Sequence, residues 1–253
     1  MANSKKQLIL FIRDSDAMID PINYLSKRYA LQFVVFKIID DKSELFKFLC
    51  AKGVAIISHD ELASQISSGV IVKVDYIISY FYQKKIQIEL LNIASKGAIN
   101  FHPAPLPIYK GVGNYCRCIL DELDYWAVSA HFMSELIDSG KLIKVHYFAV
   151  DSTQETYYSL ELKSIKHMFM LLRQVLGMDI DVKQDYMPTG EVKNVVWTTT
   201  KSLQKLKKID LNDAPELINK KIRAFWRPPY SGATISIQGG EYTIINEEIL
   251  NLI

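Results

Sequence analysis

At 253 residues and 29.0 kDa, the chain is long enough for one full domain with a small appendage. Hydrophobic residues make up 49% and charged residues 23%, near the globular average, which excludes wholesale disorder. Thirty basic side chains against 28 acidic ones leave a formal charge of +2, which gives no global field for gripping nucleic acid.

The basic runs Lys84-Lys85 and Lys205 to Lys208 read as solvated faces. Three cysteines, Cys50, Cys116 and Cys118, are an odd number and point to free thiols in a reducing compartment. The first apolar run, Leu8 to Ile12, stops at Arg13-Asp14, so no signal peptide is expected. No apolar run approaches a membrane span. A soluble cytoplasmic protein without nucleic-acid or membrane partners is the expectation.

Gln7 to Ile12 suits a buried strand, and Ser15 to Tyr29 a helix with Pro21 in its first turn or at a break. Phe33 to Ile39 is a second strand, Ser43 to Ala51 a helix, Val54 to Ile57 a third strand and Asp60 to Ile66 a helix. Asp75 to Ser79 follows as strand, Lys84 to Ala94 as helix and Ala98 to Phe101 as the fifth strand. This alternation predicts a parallel sheet with helices on both faces and a ligand beyond the carboxyl ends of its strands.

Val112 to Leu123 reads as a helix, Ala127 to Met133 and Lys141 to Val150 as strands, and Thr153 to Leu176 as a long helix ended by Gly177. Asp179 to Lys193 is irregular and polar. Asp213 to Trp226 is a last helix, stopped by Pro228-Pro229. Thr234 to Gln238 and Glu241 to Ile245 flank Gly239-Gly240, a two-residue hairpin signal. The expected organisation is a catalytic domain over residues 1–178, a linking segment over 179–207 and a helix-plus-hairpin appendage over 208–253.

No Gly-x-Gly-x-x-Gly follows the first strand, and neither a phosphate-loop lysine motif nor a nucleophile-elbow serine occurs. The chemistry concentrates at the end of the fifth strand. Asn100 and His102, two apart on an extended chain, face the same way. An amide there can donate to an oxygen that gains negative charge, and an imidazole can move a proton near neutral pH. Pro103, Pro105 and Pro107 stiffen the loop that follows. As bare residues, a satisfied polar strand end is the commoner reading of this pair.

Several spaced elements in order carry a resemblance: Asn100-x-His102-Pro103, then Leu106-Pro107-x-Tyr109-Lys110-Gly111, then Ser129-x-His131-Phe132, then Asp138-Ser139-Gly140 followed by Lys141, Leu142 and Ile143. Together they resemble the folate-dependent formyltransferases, in layout from about Leu8 to Leu176. The resemblance implies the formyltransferase fold, a mostly parallel Rossmann-like α/β sheet with helices on both faces. It implies an Asn100–His102–Asp138 triad, 10-formyltetrahydrofolate as co-substrate and no metal. As a bare residue, Asp138 reads as a turn residue before Gly140.

The same resemblance places the folate against two loops, with Lys84 and Ile86 in one and Met133, Ser134, Glu135 and Leu136 in the other. This chain has Tyr80-Phe81-Tyr82 where the family often has a glycine step. Substrate contacts are expected at Arg13, Phe81, Tyr109, Lys110 and Gly111.

Among family branches, the stretch Ile222 to Ala233 and the run Gly111-Val112-Gly113-Asn114-Tyr115 look like the sugar N-formyltransferases, in particular those acting on 4-amino-4,6-dideoxyhexoses. Methionyl-tRNA formyltransferase normally carries a larger second domain, the hydrolytic deformylase a domain in front, and the phosphoribosylglycinamide enzyme ends sooner. The expected acceptor is therefore the amine of a nucleotide-diphospho amino sugar, probed at C-4 first, for surface polysaccharide such as O-antigen. A purine-synthesis enzyme and a non-catalytic binding relative remain the alternatives. The apolar alternation of the terminal hairpin implies a homodimer.

Overall fold

A computed structural model describes residues 5–71, 73–177, 194–230 and 232–251. The irregular stretch Asp179 to Lys193 lies outside them. In chain order the elements begin with β1 (Gln7–Ile12), a 3-10 turn at Asp16–Met18, α1 (Ile19–Arg28), β2 (Ala30–Phe36), α2 (Glu44–Ala51), β3 (Ile56–Ser58) and α3 (His59–Ser67). They continue with β4 (Val74–Tyr80), α4 (Ile88–Leu91), β5 (Ala94–His102), β6 (Tyr109–Gly111), α5 (Tyr115–Leu120), β7 (Tyr125–Phe132), β8 (Leu142–Ala149) and α6 (Tyr157–Leu176). The last are β9 (Val196–Thr198), α7 (Thr200–Leu206), β10 (Lys208–Ile209), α8 (Pro215–Phe225), β11 (Thr234–Ile237), β12 (Gly240–Thr243) and α9 (Glu247–Leu250).

The main sheet has seven strands in the order β3-β2-β1-β4-β5-β7-β8. β3, β2, β1, β4 and β5 are parallel to their neighbours, and β7 runs antiparallel to β5. Leu8 to Ile12 of β1 are all buried, as befits a central strand covered on both faces. Each such large side chain contributes about 1.5–3 kcal/mol through burial. The chain winds outward from β1 to β3 and returns on the other side at β4, so the order switches between β1 and β4. Ile12 pairs with Tyr80 there, at the carboxyl ends of both strands.

The described residues form two compact units. The first comprises residues 5–102, 129–145 and 169–177, the second 103–128, 146–168 and 194–251. The first has its apolar cluster around Ile9, Phe11, Val35, Ile57, Leu62 and Ile77. The second is built on the pair β6–β9, the three-stranded sheet β10-β11-β12, and Ile209, Ile222, Ala233, Ile235 and Ile249 packed together.

The α/β reading holds, while several boundaries move. The second strand runs from Ala30 to Phe36 instead of Phe33 to Ile39, and Ile38 and Ile39 are exposed. The helix expected over Lys84 to Ala94 is a single turn, Ile88–Leu91, because Ala94 to Gly97 are drawn into β5 by pairing with β4. The helix expected over Val112 to Leu123 shrinks to Tyr115–Leu120, bracketed by left-handed backbone at Gly113 (φ 64°) and Glu122 (φ 52°).

The hairpin turn is Gln238-Gly239 and not Gly239-Gly240. Both residues take positive φ (48° and 83°), as a tight primed turn requires, and Ile237 pairs with Gly240. The two- and three-residue strands β6, β9 and β10 are too short to leave a period in the sequence, and the short helices α7 and α9 were likewise not anticipated. Among the described residues no helix is long and apolar enough to cross a membrane.

Candidate active site

One register row of the main sheet builds the site. Phe11 pairs with Ser79, Ser79 with Asn100 and Asn100 with His131, so the four side chains share one sheet face. The next alternate position of β5 is His102, which pairs with Ser129. Asn100 Nδ2 lies 3.1 Å from His131 Nε2. His131 Nδ1 lies 2.8 Å from its neighbour's carbonyl, Phe132 O. A carbonyl only accepts, so Nδ1 carries the proton and Nε2 is the acceptor for the Asn100 amide. His131 thereby fixes which end of the Asn100 amide faces it.

Asp138 returns to this face through a tight loop. Phe132 N donates to Lys141 O at 2.8 Å, closing the base of the turn. Asp138 takes φ 49°, a conformation that aspartate tolerates better than most residues. Gly140 lies so close to Phe132 O that a Cβ would overlap it, which explains the glycine after Asp-Ser.

The carboxylate Oδ1 then stands 3.5 Å from His102 Nδ1, 3.5 Å from Asn100 Nδ2 and 3.6 Å from His131 Nε2. His102 and Asp138 are 5% and 6% exposed, and His131 2%. Such burial strengthens charge interaction within the cluster relative to water. The amide and two imidazoles around one carboxylate can polarise a carbonyl and carry a proton away from it.

Arg13 and Phe81 also come together, at the switch point. The Arg13 guanidinium stands 5.2 Å from the Phe81 ring centre. Phe81 takes φ 55°, a conformation costing about 1 kcal/mol or more for such a residue. Ile86 is buried in the apolar cluster against which Met133 also packs, so the two expected donor loops meet there. Ser134, Glu135 and Leu136 are exposed, with the Ser134 hydroxyl donating to Leu136 O at 3.0 Å. Lys84 Nζ pairs with Asp60 Oδ1 at 2.6 Å.

Tyr109, Lys110 and Gly111 belong to the second unit. There the Tyr109 hydroxyl donates to Asp121 Oδ2 at 3.1 Å and its ring packs on Trp126. Lys110 is 9% exposed, and Gly111 lies against the Thr198 carbonyl. Among the described residues no group of three or more His, Cys, Asp or Glu side chains is arranged to hold a metal ion.

His131 is the residue whose part the sequence reading left unassigned. Its signal was present in Ser129-x-His131, which alternates as Asn100-x-His102 does, but the cross-strand pairing that joins them depends on strand order.

Residues 53–175 match the family model described as formyl transferase. That match covers just under half of the chain. It is 27% identical over 175 residues to GDP-perosamine N-formyltransferase of Brucella melitensis, a match covering 69% of this chain and 66% of that one. The aligned region thus spans about two thirds of the length of that relative. Among solved structures, a 4-N formyltransferase from Francisella tularensis superposes with a TM-score of 0.76 at 19% identity, covering 96% of this chain and 97% of that one. An N-formyltransferase from Helicobacter canadensis, solved in complex with folinic acid and dTDP-3-aminofucose, gives a TM-score of 0.71 at 16% identity over 91% and 84%.

Proposed function

We propose that this protein is a formyltransferase that moves the formyl group of 10-formyltetrahydrofolate to the amine of a nucleotide-linked amino deoxysugar, with the C-4 amine of a dTDP- or GDP-linked 4-amino-4,6-dideoxyhexose as first choice. The observation that carries this reading is the buried carboxylate of Asp138 set among Asn100, His102 and His131. The sugar acceptor is supported by the GDP-perosamine in the name of the Brucella relative and by the dTDP-3-aminofucose of the Helicobacter complex, whose folinic acid supports the folate donor.

In this reading the neutral amine attacks the formyl carbon, forming a C–N bond and turning the carbonyl oxygen into an oxyanion. The Asn100 Nδ2–H that does not face His131, together with an N–H of His102, stabilises that oxyanion. The attacking nitrogen, now cationic, gives its proton to the Asp138 carboxylate, which His102 steadies. The oxyanion then re-forms the carbonyl as the C–N10 bond breaks, and the proton held by Asp138 passes to N10 of the folate, which restores the carboxylate. His131 acts on the reaction only through Asn100. No metal enters this scheme.

The donor would lie along the two loops, against Ile86, the exposed Leu136 and Ile137, and the main chain of Met133 to Leu136. Those apolar edges suit a flat heteroaromatic ring. Arg13 and Phe81 at the switch point are the proposed acceptor contacts. The reaction would run in the cytoplasm and supply surface polysaccharide synthesis.

The protein would act as a homodimer through the terminal hairpin, whose Ile237 and Tyr242 are 44% and 54% exposed. A monomer by light scattering at micromolar concentration would remove that part. Calorimetry tests the acceptor class: dTDP, GDP or UDP should bind. Binding of glycinamide ribotide with none of the three nucleotides bound would return the protein to purine synthesis.

A further inference from the structure

We propose that His59 and Asp60, in the first turn of α3, form a clamp that sets the loop between β4 and α4 for the folate donor. The proposal rests on the reading of that loop as part of the donor site. Residues 82–86 belong to no helix or strand, and among the described residues they make no backbone-to-backbone hydrogen bond. The loop opens on the unfavourable backbone of Phe81. Its shape therefore has to come from side chains.

Three of those side chains reach α3. The Tyr82 hydroxyl lies 2.9 Å from His59 Nδ1, Gln87 Oε1 lies 2.7 Å from His59 Nε2, and Lys84 Nζ lies 2.6 Å from Asp60 Oδ1. Two consecutive residues thus hold the start, the middle and the end of the loop. The amide oxygen of Gln87 only accepts, so His59 carries its proton on Nε2, and Nδ1 accepts from the Tyr82 O–H. A neutral imidazole satisfies both partners at once. A protonated one would leave the Tyr82 hydroxyl without its acceptor.

His59 is 1% exposed, and burial lowers its pKa below the usual 6.5, which favours the neutral form. The charged neighbours are Lys84, which lowers the pKa further, and Asp60, which raises it. Phe11 of β1 meets both rings edge-on, at 5.8 Å from His59 and 5.2 Å from Tyr82.

The register explains why this matters for the reaction. Phe11, Ser79, Asn100 and His131 lie in one row on one face. The clamp therefore stands on the same face as the Asn100 amide. Two strand spacings, about 10 Å, separate Phe11 from Asn100, with only the small Ser79 between. A donor seated on the clamped loop is carried towards Asn100 across Ser79. On this view Lys84, held by Asp60, acts on the donor by fixing the loop.

The test compares wild type with His59→Leu, which removes both hydrogen bonds, and Tyr82→Phe, which removes only the hydroxyl. Binding of 5-formyltetrahydrofolate is measured by calorimetry, the kinetics by varying donor and acceptor separately, and loop order by hydrogen exchange of the peptide spanning residues 81–87. The donor Kd and KM should rise about tenfold in His59→Leu and about three- to fivefold in Tyr82→Phe, as losing one or two buried hydrogen bonds implies. The acceptor KM and the turnover at saturating donor should stay within about twofold, a split that general destabilisation of the fold does not produce. Exchange across 81–87 should quicken in both variants.

Wild-type donor affinity and wild-type exchange in both variants would overturn the clamp. If the wild type itself binds no folate, the donor reading fails, and unchanged exchange in the variants would separately overturn the clamp.

Discussion

The ends of β4 and β5 lie side by side in the sheet but are held in different ways. At the end of β5 the backbone does the positioning. Asn100 and His102 are ladder residues, paired on one side with β4 and on the other with β7, and His131 faces Asn100 across the antiparallel pair. At the end of β4 the ladder stops, and the loop beyond it depends on His59, Asp60 and the ring of Phe11. A group that must meet a reacting carbonyl within a fraction of an ångström belongs on a rigid element. A loop that must admit and release a large co-substrate gains from side-chain ties, which open locally at lower cost.

The largest expected effect sharpens the first half of that contrast. His102→Ala or Asp138→Asn should lower kcat on the order of 100-fold or more while the thermal midpoint changes little, since neither variant disturbs a ladder bond. Near-normal turnover in steady-state assays would remove the altered residue from the reaction.

A smaller effect is expected one step away. His131→Phe removes the acceptor that orients the Asn100 amide and should lower kcat about tenfold, with the donor KM unchanged. A rise in donor KM without a fall in kcat would show that the two strand ends are not independent.

The smallest effect is a pH dependence at the loop. The folded pKa of His59 lies below its usual 6.5, so the unfolded chain takes up the proton more readily. The contribution of His59 to stability is then full above about 6.5 and is lost as pH falls through its lowered folded value. Denaturant midpoints at mildly alkaline and mildly acidic pH should fall further for wild type than for His59→Leu. Equal falls would contradict the neutral clamp.

Much of the candidate site at the end of β5 was legible because it depends on local spacing. Asn100 and His102 two apart on a strand, and Asp138 before Ser139-Gly140, are short-range signals. The cross-strand partner of Asn100 was not, because β7 reverses direction and no local pattern says which strand it joins. His59 was hidden for a similar reason: its contacts come from Tyr82 and Gln87, more than twenty residues away. The helix expected over Lys84 to Ala94 failed for a related cause, since β4 draws Ala94 to Gly97 into β5 and only one turn of helix is left. In the second unit, β6, β9 and β10 of two or three residues exist by pairing with distant partners. Strands that short have no periodicity to read.

The central claim is that the cluster at the end of β5 transfers a formyl group from folate to a sugar amine. It is tested most directly by incubating the protein with 10-formyltetrahydrofolate and a panel of dTDP-, GDP- and UDP-linked 3- and 4-amino deoxysugars, and reading each product by mass. The account predicts that at least one amino sugar gains a single formyl group, that the Asp138→Asn variant loses that gain, and that a 4-amino-4,6-dideoxyhexose is the best acceptor. Formylation of none of the sugars, with glycinamide ribotide formylated under the same conditions, would contradict it.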